Sequence, residues 1–302
     1  MRAAPLRPLL YISLAATSWG SAGAAAALLY RTSGLGPVAV SCWRFAIGAV
    51  LLLAGRAFLA PAVGNGRARP IALVATGVLM AVFQTGYLAA VAFAGLSVGT
   101  AVALGAGPVF TALGARLVFS ERVGRRGALI ILLALSGLAL LAFGADARAG
   151  GTEPLWGFLC ALASAAGSAA INLLTQAEAR RGRAGQPYDR ALAGFAVGAV
   201  CLLVTATPSG ALLPADGDVA TSIALLGYLG AIPTALAYAL FFSALMAVRA
   251  TTVSVVMMLE PVAALFLGVT LLGERLTPAT AAGSAVLLCA VMLLAKQESL
   301  TP

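Results

Sequence analysis

The stretch MMLEPVAALFLGVTLLGERL, residues 257–276, is nearly all apolar, yet Glu260 and Pro261 stand side by side within it. Proline removes a backbone donor from a helix and a carboxylate resists leaving water, so neither suits the middle of a plain apolar segment. The stretch is also not alone in the chain. GPVFTALGARLVFSERV, residues 107–123, aligns with EPVAALFLGVTLLGERL, residues 260–276, without a gap at an offset of 153. Pro108 then matches Pro261, Glu121 matches Glu274 and Arg122 matches Arg275. Such a match marks an internal duplication, and the offset places its boundary near DARAGGTE, residues 146–153.

The solvent for these segments is lipid. Of the 302 residues 61% are hydrophobic and only 10% are charged, against roughly 25% charged in soluble domains. Mean hydropathy is +1.01, and the apolar runs recur along the whole chain. Ten are long enough to count as candidate helical spans: residues 9–30, 38–59, 71–94, 98–119, 128–144, 155–176, 191–206, 219–248, 251–272 and 279–295. The eighth is long enough to bend at Pro233. The amino-terminal stretch has the arginines of a signal peptide, but its apolar run is too long for one and reads as a retained first helix.

Lysine and arginine fix the expected orientation. With the amino terminus inside, the inner loops hold 15 of the 19 cations, the outer loops only Arg31, Arg148 and Arg275, and Arg44 lies within a span. Both termini are therefore predicted to be cytoplasmic. Ten spans split at the duplication boundary give two halves, residues 1–148 and 149–302, of five helices each. An odd number per half inserts the second half upside down, which is the inverted-repeat plan of many secondary transporters. The fold class expected is an all-α integral membrane protein of ten transmembrane helices.

Several functions are excluded or disfavoured. The net charge of +9 is spread between apolar runs and forms no basic face, so no nucleic acid is expected as partner. The chain has no histidine, and its four cysteines are scattered singly, so no metal and no cofactor are expected. Without clustered nucleophiles or bases an enzyme is not expected, and without a Walker motif neither is ATP-driven pumping.

Glu260 is the one acidic residue deep in a span and Arg44 the clearest deep cation. A charge at a helix centre costs roughly 2.5–3.5 kcal/mol on insertion scales, so such groups face a cavity or a partner. An ion pair between the two is the obvious pairing. Helical rise argues against it: Glu260 lies about 21 Å below Glu274, whereas Arg44 lies only about 10 Å below the outer end of its own helix. For Glu260 two readings stand, structural or gating duty at a break made by Pro261, and contact with a substrate amine or a coupling proton. Glu121 and Glu274, at helix ends beside arginines, read as interfacial anchors.

A shared midplane cavity is expected to draw polar and aromatic residues from both halves. Ser18, Trp19, Gln84, Tyr87, Thr100, Ser168, Asn172 and Tyr238 lie near midspan. Each also has a plain reading as a packing or interhelical hydrogen-bonding residue. Gln84 and Asn172 are the strongest substrate-binding candidates, because buried amides need partners and can orient a zwitterion, and Trp19 and Tyr87 offer walls for a flat side chain. The GxxxG pairs at 95–99 and 194–198 read as packing sites, and Gly105, Gly107 and Pro108 as a softened stretch of the fourth span.

Two five-helix halves, each with a proline in its fourth helix followed thirteen residues later by Glu-Arg, resemble the EamA family of the drug/metabolite transporter superfamily. LEPVAALFLGVTLLGERLTP, residues 259–278, is similar to the family's second-half signature, while Ser120 departs from the glycine found at Gly273. The resemblance implies ten helices and movement of small metabolites, commonly export of amino acids across the bacterial inner membrane. In length and Ala/Arg-rich style the chain also resembles the aromatic amino acid exporters of that family. The expected function is export by alternating access, with Glu260, Pro261, Pro108 and Arg44 in gating or coupling and the proton as a candidate coupling ion. The alternatives are a sugar-phosphate or nucleotide-sugar carrier of the same superfamily and a passive channel.

Overall fold

A computed structural model describes residues 6–59, 69–120, 125–144, 153–183, 185–206, 212–214, 218–245, 253, 256–257 and 259–298. Those residues contain helices and no strand. They form α1 (Leu6–Ser33), α2 (Pro37–Leu59), α3 (Pro70–Ala94), α4 (Leu96–Phe119), α5 (Arg125–Gly144), α6 (Pro154–Arg180) and α7 (Pro187–Ala206). α8 (Val219–Gly230) runs through a π-helical segment, Ala231–Leu236, into α9 (Ala237–Leu245), and α10 (Leu259–Thr270) and α11 (Pro278–Glu298) follow.

Local chemistry sets these ends. Proline stands first in α2, α3, α6, α7 and α11, where its missing N–H has no helical acceptor to serve and its fixed φ suits the first turn. Gly95 alone separates α3 from α4, at φ 86°, a backbone region that glycine enters without steric cost. Ser120 and Gly273, matched by the 153-residue offset, both adopt left-handed backbone, at φ 56° and 68°. The first half thus departs from the second in residue type at this turn but not in conformation. Within the eighth run, Pro233 has no N–H for the helical ladder, which widens into the π segment. Thr234 Oγ1 donates to the Leu229 carbonyl there at 2.8 Å.

By length and composition seven helical stretches can cross a membrane: Leu6–Ser33, Pro37–Arg56, Pro70–Ala94, Leu96–Phe119, Pro154–Arg180, Pro187–Ala206 and Val219–Ala244. The fifth, ninth and tenth expected spans are represented among the described residues by shorter apolar helices, Gly127–Leu141, Leu259–Thr270 and Pro278–Ala290. Large side chains such as Leu6, Ile71, Leu117, Leu129 and Leu155 point outward. Arg44, Gln84, Thr100, Ser164 and Thr234 are buried. Apolar groups outside and polar groups inside is the distribution lipid selects.

The helices pair in a pattern. α2 packs on α7, α4 on α10 and α5 on α11, while α3 lies along α6 and α1 along α8 and α9. Under the 153-residue offset, α1 to α5 correspond in turn to α6, α7, α8 with α9, α10 and α11. Each of these pairings therefore maps onto itself or onto another when the halves are exchanged. Small residues permit the closest of them. A Cβ at Gly86 would sit 3.0 Å from the Cys160 carbonyl, and one at Gly167 3.0 Å from the Phe83 nitrogen, so α3 and α6 touch backbone to backbone. The GxxxG positions also pack closely, Gly99 on the backbone at Ala90 and Gly198 on the Phe45 ring. α4 stays one continuous helix through Pro108.

Candidate functional site

Arg44, on α2 and only 2% exposed, is held by neutral partners. Its Nε donates to Thr234 Oγ1 and its Nη1 to Gln84 Oε1, both at 2.9 Å. The π segment makes this possible. It turns Thr234 toward α2, where Gly48 leaves room; a Cβ there would lie 2.4 Å from Thr234 Cγ2. Among the described residues no ion pair joins Glu260 to Arg44, in line with their difference in depth.

Beside this cluster runs a connected set of rings. Trp19 on α1 meets Tyr238 and Phe241 on α9, with centroids 5.0 and 5.3 Å apart. Tyr238 meets Phe195 at 5.1 Å, and Phe195 meets Phe45 at 5.0 Å. Edge-to-face contacts of this kind fix ring orientation as well as fill space. Tyr238, Phe241 and Phe242 of α9 and Phe83 of α3 are the aromatic rings that line a 480 Å³ cavity bounded by α3, α6, α7 and α9. The polar groups of its lining are Thr76, Ser168, Asn172, Thr175 and Arg190. Arg190 is buried, and its Nη1 donates to Thr175 Oγ1 at 2.8 Å. The cavity reaches Gly185 and Pro187 at the turn between α6 and α7.

A second cavity, of 190 Å³, lies between α4, α10 and α11 and is lined by Glu260, Pro261, Pro108, Ser97 and Ser284 among apolar side chains. Pro261 lies in α10, with helical residues 253, 256 and 257 ahead of it in the chain. α1 presses on α10 here, for a Cβ at Gly20 would sit 2.5 Å from the Glu260 carbonyl oxygen. At the end of the bundle carrying Gly95 and Gly273, the Glu274 carboxylate accepts from the N–H groups of Leu96 and, at 2.9 Å, Ser97. The Arg31 guanidinium donates to the Leu272 carbonyl at 3.3 and 3.4 Å. These contacts tie α1, α4 and the turn after α10 together.

The structure thus brings the expected residues into three places. Trp19 and Tyr238 share the ring set, and Tyr238 shares the larger cavity with Asn172. Gln84 is engaged by Arg44, and the Tyr87 hydroxyl pairs with Thr100 Oγ1 at 3.1 Å, outside both cavity linings. Glu260, Pro261 and Pro108 meet in the smaller cavity, without Arg44. Glu274 is a buried helix cap and not an interfacial anchor, because the orphan amides that open α4 draw a carboxylate inward. Glu121 lies outside the described residues. Arg190, read from the sequence as a surface cation, is a cavity residue; its signal was the proline at 187, which opens α7 early enough to bury it. Thr234 and the phenylalanines were legible only as parts of apolar runs.

Comparison with known proteins follows this geometry. The model of the EamA-like transporter family matches residues 6–143 and 155–296. The chain belongs to the EamA-like transporter family. Another protein similar to this EamA-like chain is "Uncharacterized transporter YwfM" of Bacillus subtilis (strain 168), 28% identical over 287 residues, covering 94% of this chain and 92% of the relative. A solved structure titled "Crystal structure of protein" superposes with a TM-score of 0.61 at 20% identity, covering 95% of this chain and 97% of that one, and shares the fold. Membership makes the protein a multi-pass membrane transporter, with a small-molecule substrate and the bilayer as its surroundings.

Proposed function

We propose that the protein exports small amphipathic metabolites, foremost hydrophobic or aromatic amino acids, across the bacterial inner membrane by alternating access. The observation that carries this reading is the 480 Å³ cavity, whose lining combines four aromatic rings with Asn172, Ser168, Thr175 and Arg190. Its size falls within the range of small-ligand sites, about 300–1,000 Å³. A flat side chain suits the rings, and a carboxylate suits the guanidinium and amide. Trp19 packs against Tyr238 of this lining, while Gln84 and Tyr87 lie outside it, engaged by Arg44 and Thr100.

The two halves are proposed to be inverted repeats, 1–148 and 149–302, with both termini cytoplasmic. Helix pairing that survives exchange of the halves supports this, and so does the cation bias. In that orientation the cavity opens to the cytoplasm, while Glu274 and Arg31 close the outer end. Rocking of the halves about the cavity would exchange these conditions, with the proton as coupling ion. Arg190 also favours the second reading, a carrier of phosphorylated sugars, since it adds a cation to the lining.

The test is efflux from proteoliposomes of purified protein loaded with a panel of amino acids and sugar phosphates. Saturable efflux of aromatic or hydrophobic amino acids is expected, reduced at least tenfold in Asn172→Ala and Arg190→Ala. Saturable efflux of sugar phosphates alone selects the second reading, and non-saturating flux without counterflow selects a channel.

A further inference from the structure

The smaller cavity holds polar groups that the transport reading does not use. Ser97 on α4 and Ser284 on α11 are 4% and 5% exposed, and their hydroxyls have no hydrogen-bond partner among the described residues. Both line the cavity that Glu260 lines. A buried hydroxyl without a partner forfeits about 1–3 kcal/mol, so two of them in one cavity with a carboxylate point to an occupant that supplies hydrogen bonds.

The three groups stand at different depths. A Cβ at Gly268 would lie 2.6 Å from Ser97 Oγ and 2.7 Å from Glu274 Oε2, which places these two oxygens together, one helical turn and more away from Glu260. Gly268 and Glu260 are eight residues apart on α10, about 12 Å along the axis at the helical rise. Leu287 packs against the Gly105 position, and Ser284 lies one turn from it toward the end where α11 begins. From the outer turn inward the order is therefore Glu274, which caps α4 outside the cavity lining, and then Ser97, Ser284 and Glu260 within it. No single small ion can touch all of them, but a file of waters can, and 190 Å³ exceeds the room several waters need. At the far end Glu274 sits in the turn whose Gly273 and Arg275 are exposed.

We propose that this cavity is a water-lined route that carries protons between the turn at Glu274 and the Glu260 carboxylate by way of Ser97 and Ser284. Each serine hydroxyl accepts from one water and donates to the next, so the file bridges an otherwise apolar stretch. A proton arriving at Glu260 turns carboxylate into carboxylic acid, and the return step releases the same proton; no other reactant takes part. The charged group acting on Glu260 is Arg44 from α2, and the titratable Tyr87 from α3 and Tyr238 from α9 lie within the reach of the Glu260 charge. α4 and α11 present only the serines and apolar side chains to it in the cavity, and α1 presents Gly20. The route lies apart from the aromatic cavity, so proton and metabolite reach the molecule's centre by separate paths. This inference rests on the transporter reading but not on the choice of metabolite.

The test reads hydrogen–deuterium exchange of the Glu260 carboxyl by infrared difference spectroscopy of the protein in lipid nanodiscs, with Glu260→Gln assigning the band. Ser284→Leu, which fills the middle of the cavity, is expected to slow exchange at least tenfold, and Ser284→Ala less than threefold. Unchanged exchange in a Ser284→Leu variant that still melts cooperatively overturns the route. Should that variant not fold, Ser97→Cys in a background with Cys42, Cys160, Cys201 and Cys289 replaced by alanine gives the answer. Labelling by a small water-soluble methanethiosulfonate is expected, and absence of labelling overturns the proposal. Neither readout uses transport, so a failed efflux assay would remove the export reading and leave this result to stand or fall by itself.

Discussion

At the scale of single residues, the arrangement around Arg44 shows how a charge is kept inside lipid without an opposite charge against it. Two neutral acceptors, Gln84 and Thr234, take its donors. A hydrogen bond to a charged group contributes about 1.5–3 kcal/mol, so Thr234→Val should lower stability by that amount, seen as a drop in melting temperature by intrinsic fluorescence. No drop would mean that the bond is incidental. Ser120 offers the opposite change. Left-handed backbone costs a residue with a side chain about 1–2 kcal/mol, and glycine escapes that cost. Ser120→Gly should therefore raise the melting temperature, the gain being partly offset by glycine's greater freedom in the unfolded chain. The sequence marked this position correctly as a departure from its repeat, but residue type alone could not say that the backbone had stayed the same.

At the scale of helices, glycines decide which elements touch. Gly20 lets α1 lie on α10 directly over the Glu260 peptide. Gly20→Val should push these helices apart, at a cost of roughly 1–3 kcal/mol for overpacking, and should reduce saturable efflux in proteoliposomes by tenfold or more. Efflux at the wild-type rate would show that this contact has no part in transport. Which helices exist was legible from apolar length, proline starts and the offset of 153. Which face of each points inward was not, because lipid and protein interior are both apolar and leave no amphipathic stripe to read. For that reason Glu260 and Arg44 were singled out by charge, whereas Phe241, Phe242 and Phe195 stayed hidden within their runs. Arg190 was hidden differently: its place near a helix start looked like a loop, and only the packing of α7 against α3 and α2 shows it covered.

At the scale of the whole molecule, the account joins two cavities on different helices, one aromatic and open toward the turn at Gly185, the other small and anchored on Glu260. Both draw residues from each half of the chain, and those halves are proposed to face opposite ways. The measurement that tests this most directly is the sidedness of Arg125, the first residue of α5, and Arg275, three residues before α11, both of them exposed. Each is replaced by cysteine in the cysteine-free background, and an impermeant maleimide is applied to sealed right-side-out vesicles. Labelling of Arg275→Cys from outside, with Arg125→Cys labelled only after the vesicles are opened, is the expected result. Labelling of both from the same side would contradict the inverted duplication, and with it the shared cavity between the halves.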